Sequence, residues 1–319
     1  MNLQQKSKHL KEQRNRFFWD YYAEWIEIYK VGAVRKVTLD KYMMTLAQLK
    51  RLAPELKMAQ LERKTYQQII NRYAENHAKQ TIIDFNCHLK AAILDAVEDG
   101  VLEHNPARKV TIKQGNAQTK RGEKYLGQDE VSKLIAALHL PPDEINWDWF
   151  ILLCLKTGLR FSEALGLTPN DFDFLNQKIS VNKTFDYKHT HALVNATKTS
   201  SSNRNILLDR QLAAQFELLV EGLNKNKPIF VSDGRKVYNS TVVGRLKTLC
   251  QKAETTVISL HGLRHTHASI LFYNGVSIHS IARRLGHADI STTQEVYLHI
   301  IKELEDRDNE KIRTVLEGF

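Results

Sequence analysis

Helix-stop residues fall so close together between His261 and Ile300 that this stretch can fold only as a run of short helices. It reads HGLRHTHASILFYNGVSIHSIARRLGHADISTTQEVYLHI. Leu263, Ala268, Ile270 and Leu271 give the first run a helical period, and Asn274-Gly275 stops it. Ser277 is placed to cap a second run through Leu285, which Gly286 ends, and Ser291 opens a third with Gln294 at capping-box spacing. Three short helices set their polar residues at starts and junctions, where side chains from different elements converge on one pocket. His261, Arg264 and His287 lie at such places, and Tyr297 falls about two turns into the third helix, so its phenol rides on a rigid element.

The first third of the chain is also helical in period. Phe17, Tyr21, Trp25, Ile28 and Tyr29 recur at spacings of three and four, which predicts a helix from Phe17 with that stripe inward. A second follows from Thr38 (Leu39, Tyr42, Met43, Leu46, Leu49), and a third from Thr65, capped with Gln68 three residues on (Tyr66, Ile69, Ile70, Tyr73). A fourth runs from Lys79 to Asp99, with Gly100 as its stop and Asn105-Pro106 closing the unit. The aromatic stripe reads as core in preference to a base-stacking surface. Residues 1–16 are basic and polar, a tail or a frayed helix; residues 17–107 are a four-helix domain. Residues 108–124 (RKVTIKQGNAQTKRGEK) lack apolar period and read as an interdomain linker.

Charge separates the two parts of the chain. Residues 1–122 hold 22 Lys and Arg against 13 Asp and Glu, and the remainder hold 24 against 23, so nearly all of the net charge of +10 lies in the first part. Either an anionic partner, most economically nucleic acid, is gripped there, or the surface is basic and inert. Cys87, Cys154 and Cys250 are far apart and odd in number, within apolar helical patterns, and read as buried free thiols of a reducing compartment. The N-terminus has no apolar run of signal-peptide type, and no run approaches the ~18 apolar residues of a membrane span. A cytoplasmic protein with no membrane partner is expected.

From Tyr125 a second, mostly helical domain is expected through residue 300. Gln128–Leu138 is amphipathic, Trp147–Lys156 is apolar and stopped by Thr157-Gly158, and a short helix begins at Arg160. The period then changes to two: Lys178–Phe185, His191–Ala196 and Asn205–Leu208 predict three strands of one small antiparallel sheet. The turn between the last two, TKTSSSNR, holds Lys198 and Arg204. Helical period returns at Leu212–Leu223 and Ser240–Ala253. The fold class is mainly α with a small antiparallel β-sheet.

With TGLRFSEALGL at 157–167, HGLRH at 261–265, LGH at 285–287 and Tyr297, the chain resembles the tyrosine recombinases, the phage and conjugative-transposon integrase family. The motifs match in order and spacing, and the resemblance covers the chain from Phe17 onward. It implies a helical, SAM-like core-binding domain and a tyrosine recombinase catalytic domain that close around double-stranded DNA, acting as a homotetramer on synapsed DNA, with a small excisionase-type accessory protein as a further partner. It further implies that the C-terminal segment 301–319 docks on a neighbouring protomer; packing on its own domain is the alternative. Integrases of this kind frequently carry an arm-type DNA-binding domain ahead of the core-binding one, and only 16 residues precede Phe17 here, so either that domain is lacking or this chain is a piece of a longer protein, and binding to distant arm sites stays an open question.

The chemistry agrees with the resemblance. A phosphodiester on its way to a phosphorane-like state concentrates negative charge on its non-bridging oxygens, and guanidinium groups supply permanent charge and forked donors. The family assigns that task to the residues matching Arg160 and Arg264, with Glu163 as an anchor for Arg160; a surface ion pair between Arg160 and Glu163 is the bland reading. Tyr297 is the implied nucleophile, and its phenol, with an ordinary pKa of about 10, must lose a proton as it attacks. His261 or His287 can accept it. Lys198 matches the family's hairpin lysine, the acid for the leaving 5′ oxygen; Lys183 and Lys188 are rivals in the same region, and a simple phosphate contact is the lesser role. A phosphotyrosyl link conserves the bond energy, so no cofactor is expected, and no GxxxxGK[ST] loop is present. His261 and His265 have zinc-pair spacing, but Gly262 stands where a metalloprotease carries Glu, so no metal is expected, and His265 and His267 read as core residues or supports of the site.

Site-specific recombination, with integration or excision of a mobile element, is therefore the expected function. The alternatives are a type IB topoisomerase-like or dimer-resolving enzyme, a catalytically silent DNA-binding protein of the same fold, and a metal-dependent transposase built on Asp171 and Asp173.

Overall fold

A computed structural model describes residues 3–113, 125–194, 203–232, 234–286 and 312–318. The chain divides into two compact units, Met1–Lys120 and Arg121–Phe319, each with its own hydrophobic core.

The first unit contains α1 (Leu3–Asn15), α2 (Phe18–Tyr29), α3 (Lys36–Leu52), α4 (Arg63–Ala74) and α5 (Lys79–Glu98). The basic N-terminal segment is thus helical over nearly all its length. Its own sequence has little apolar period; Arg14, in its last turn, donates to the carbonyls of Gly100 and Val101 at 3.2 and 3.0 Å and pairs with Glu103. A helix this short gains its stability from such tertiary anchors. The inward face of α2 differs from the expected stripe. Phe18, Tyr21, Tyr22, Trp25 and Ile26 are buried, whereas Phe17 lies at the edge and Ile28 is 63% exposed. The helix is apolar on more than one side, so periodicity alone left two faces open; the Trp25 indole settles the rotation by donating to Asp95 on α5 at 2.5 Å. The aromatic residues of this face are core. The cap of α4 is Glu62, not Thr65, although its buried face (Tyr66, Ile69, Ile70, Tyr73) is the one expected.

The second unit contains α6 (Gln128–Ala137), α7 (Trp147–Thr157), α8 (Phe161–Leu165), β1 (Phe172–Asp173), β2 (Lys178–Val181), β3 (Thr184–Asp186), β4 (Ala192–Val194), β5 (Arg204–Leu207), α9 (Arg210–Leu219), α10 (Asn239–Lys252), α11 (Leu260–Tyr273) and α12 (Ile278–Leu285). The residues of α7 from Trp149 to Leu155 are all buried, as a helix apolar on every side requires. Its N-terminus is fixed by Asn146, which accepts from the Asp148 and Trp149 amides, and by Asp148, which receives a two-point pair from Arg245 on α10.

The sheet region corrects the sequence reading in one respect: there are two small antiparallel sheets, not one. The strand expected over Lys178–Phe185 breaks at Asn182-Lys183. β1, β2 and β5 pair in that order, with Ile179 opposite Ile206 and Val181 opposite Arg204; β3 and β4 pair separately, with Phe185 opposite Leu193. Two contacts divert the chain. The Lys183 ammonium pairs with the buried Asp171 carboxylate, and the β3 backbone runs so close to α8 that a Cβ on Gly166 would sit 3.0 Å from the Thr184 carbonyl carbon.

Candidate active site

Capping chemistry places the site. Ser259 accepts from the Gly262 amide at 3.0 Å, which fixes the start of α11 and sets His261 and Arg264 in its first turns. Ser277 caps α12 in the same way, and Gly286 ends it in the left-handed conformation, φ +69°. At the end of α7, Gly158 also has φ +70°, and a Cβ there would meet Leu285 Cδ2 at 2.7 Å and His267 Cδ2 at 2.8 Å. Glycine alone allows these three helices to meet end to side.

Two helix C-termini meet at this point, and guanidinium groups satisfy their carbonyls. At α12, Arg204 Nε donates to the Arg284 carbonyl (2.7 Å), and Arg264 Nη2 to that of Leu285 (2.6 Å). Arg160 Nη1 donates to Leu285 O at 3.4 Å, and its Nη2 to Gly286 O at 3.2 Å. At α7, Arg264 Nη1 donates to Gly158 O (2.7 Å) and Arg284 Nη2 to Lys156 O (3.4 Å). The last carbonyls of a helix lack intrahelical donors and carry the negative end of its dipole, so cations belong there. Arg264 is only 2% exposed, and Arg160 remains 36% exposed by side chain.

One carboxylate binds this arrangement together. Glu163, 3% exposed, receives the Arg160 amide (2.9 Å) and Nη1 (2.8 Å), and a forked pair from Arg204 at 3.2 and 2.9 Å. A carboxylate offers about four acceptor positions, and four donors fill them. Burial opposes its charge, but the Arg204 and Arg160 donors prevail and hold the Glu163 pKa at about 2. The Arg160–Glu163 contact is therefore a buried anchor, not a surface ion pair.

Histidine chemistry divides between two rings. His261 is open to solvent, yet partial desolvation and then the charges of Arg264 and Arg160 lower its pKa, so it is neutral at neutral pH and able to accept a proton. Its ring packs edge-on against His265, centroids 4.7 Å apart. His267 is buried, donates from Nδ1 to Leu155 O at 3.0 Å and accepts at Nε2 from Arg284 Nε at 2.9 Å. An imidazole that accepts from a guanidinium must be neutral; burial and the Arg284 charge push its pKa down to about 3.

Of the six candidate residues, the structure brings together Arg160, His261 and Arg264. Lys198, His287 and Tyr297, with the helix expected from Ser291, lie outside the described residues. Of the rival lysines, Lys183 is engaged with Asp171, and Lys188 is exposed with its ammonium 5.8 Å from the Tyr187 ring centre. Asp171 also caps a turn through the Thr168 amide and hydroxyl, and Asp173 holds Asn176, so both carboxylates carry local structure. Among the described residues, no three His, Cys, Asp or Glu side chains are grouped to hold a metal ion, and no helix is long and apolar enough to cross a membrane. Cys154 and Cys250 are buried thiols; Cys87, expected buried, is exposed. Residues 312–318 are exposed, with 312–316 helical. Sequence reasoning missed Arg284 as part of this centre and noted Arg204 only as a turn residue, whereas His267 falls in the supporting, buried place that its sequence reading gave it. The signals were present: basic residues just before Gly286 mark a helix C-terminus, and Arg204 stands six positions after Lys198 at the start of a strand.

A helical unit is thus followed by a unit of helices around small sheets, with arginines converging beside an exposed neutral histidine. The chain belongs to the phage integrase family, the tyrosine recombinases: residues 124–303, more than half of its length, match that family's sequence profile. It is 28% identical to the ICEBs1 integrase of Bacillus subtilis (strain 168) in an alignment that covers 66% of this chain and 60% of that protein. It is 24% identical to the integrase of Staphylococcus phage L54a in an alignment that covers 92% of this chain and 91% of that one. Among solved structures, the Tn1549 transposon integrase in complex with transposon right end DNA superposes with a TM-score of 0.74 at 20% identity, covering 88% of this chain and 95% of that one. A lambda integrase dimer bound to a core site gives 0.67 at 15% identity, covering 91% and 79%. These likenesses show the fold.

Proposed function

We propose that this protein is a site-specific DNA recombinase that integrates or excises a mobile element through a covalent 3′-phosphotyrosyl intermediate. The observation that carries the reading is the convergence of Arg160 and Arg264, from separate elements, on one acceptor, the Leu285 carbonyl, with His261 desolvated and close enough for both charges to help lower its pKa. Arg160 keeps part of its guanidinium open to solvent, where a phosphate can reach it.

In the proposed step the Tyr297 oxygen attacks the scissile phosphorus and passes its proton to His261 or His287. The phosphorus–O5′ bond breaks, and the leaving oxygen takes a proton from Lys198. Arg160 and Arg264 balance the charge that builds on the non-bridging oxygens. Rejoining is the reverse attack by a 5′-hydroxyl, so neither a nucleotide nor a metal takes part. The family membership and the DNA-bound neighbours in fold support duplex DNA as substrate; a homotetramer on synapsed DNA and an excisionase-type accessory protein complete the proposed assembly.

A duplex nicked beside the scissile phosphate, which traps the adduct by releasing the short 5′ product, tests this. Native protein forms a denaturant-stable protein–DNA band with chelator present, and Tyr297→Phe forms none. Strand exchange between two duplexes separates recombination from topoisomerase-like relaxation. Absence of the adduct, or its persistence in Tyr297→Phe, overturns the reading.

A further inference from the structure

Arg204 has no part in the mechanism above, yet it is the most engaged side chain beside it. Its side chain is 5% exposed. Its fork fills two of the four acceptor positions of Glu163, and its Nε is tied to the Arg284 carbonyl in the last turn of α12. It lies so close to the end of that helix that a Cβ on Gly286 would come within 2.9 Å of its Nη1. It is also the first residue of β5 and lies six positions after Lys198 in the sequence. One guanidinium thus links two parts: the partner of Arg160 and the helix end that precedes His287.

We propose that Arg204 is a positioning residue for strand cleavage, acting on the phosphate through Glu163 and Arg160 without touching DNA; this rests on the function proposed above. The electrostatic argument is direct. Glu163 carries one negative charge shared between two guanidiniums, so Arg160 retains most of its positive charge for an incoming phosphate. Without Arg204 the same carboxylate, still buried, faces Arg160 alone. Both oxygens then compete with the phosphate for the Arg160 fork, and the charge that should meet the transition state is cancelled before DNA arrives. An arginine serving only to hold the fold would affect stability and leave this balance unmoved.

The test compares Arg204→Met, Arg204→Lys, Glu163→Gln and the double variant Arg204→Met/Glu163→Gln in the full chain. Duplex affinity and the single-turnover rate of adduct formation on the nicked duplex are measured at saturating protein, with thermal melting as a fold control. Arg204→Met is expected to slow cleavage by roughly thirtyfold while the duplex Kd stays within about threefold of native, because a transition-state contact has been weakened. The double variant is expected to recover about tenfold of that loss, since the neutral amide no longer captures Arg160. Arg204→Lys, which keeps the charge and forfeits the fork, falls between native and Arg204→Met. If Arg204→Met does not fold, Arg204→Lys is the variant read, and a native cleavage rate in it overturns the proposal. So does a native rate in Arg204→Met, or a double variant no faster than Arg204→Met. Native protein that forms no adduct removes both this proposal and the function it rests on; a native adduct with an indifferent Arg204 removes this one alone.

Discussion

His261 and His267 stand six residues apart on one helix and are both held neutral by desolvation and then by arginine charges, yet one is exposed and the other buried, which gives them different observable consequences. For His261, proton acceptance requires the neutral ring, and its lowered pKa extends that form to mildly acidic pH. The cleavage rate should therefore fall on acidification only below the ordinary imidazole value of about 6.5, and His261→Asn should lose both rate and that acid limb in a pH series of adduct formation. For His267 the consequence is stability. Its folded pKa, about 3, lies below its unfolded value of about 6.5, so between these limits the unfolded chain binds the extra proton. Its contribution is complete above the upper limit and is lost as pH falls, at up to about 1.4 kcal/mol per pH unit. Glu163, held at about 2, adds its loss lower down, below the ordinary carboxylate range. Urea midpoints measured from pH 7 to pH 4 should fall steeply in the native chain and less steeply in His267→Gln, whose amide presents no titrating ring.

At the scale of elements, the site is a meeting of helix ends, and its glycines and caps bear the load. Gly158→Ala puts a side chain at φ +70° and against the buried side chains of Leu285 and His267. The backbone term alone costs about 1–2 kcal/mol, and the overlap adds to it. A Tm lowered by several degrees, with cleavage lost more than proportionately, is the expected outcome in thermal melts and adduct assays. Ser259→Ala removes the α11 cap and should cost about 1 kcal/mol by the same melts. The strands show the limit of local reading. Alternation made Lys178–Phe185 look like one strand, but the Lys183–Asp171 pair and the approach of β3 to Gly166 divide it, and neither partner is a sequence neighbour. Local signals did better where they were chemical: Ser277 and Gly286 bound α12 as their types require, and Gly158 ends α7.

For the whole molecule, the charge excess of residues 1–122 matters most. If that basic unit grips a duplex, affinity depends on counterion release. With six or more phosphates neutralised, the Kd should weaken by about a thousandfold between 50 and 200 mM salt. Fluorescence anisotropy on an uncleaved duplex with Tyr297→Phe protein measures it, and a flat salt response would assign the excess charge to an inert surface.

The sequence by itself determined the helical character of both units, the caps that start and stop the helices around the site, and, through the order and spacing of its motifs, the family. These follow from residue type and period, which act over a few residues. Tertiary structure alone decided which face of α2 turns inward, that the strands form two sheets, and that Arg204, Arg284 and His267 join Arg160 and Arg264 around two helix ends. Those outcomes depend on partners well beyond the reach of a local period, from 12 positions for Asp171 and Lys183 to 106 for Gly158 and Arg264. No local period encodes where a buried donor will find its acceptor.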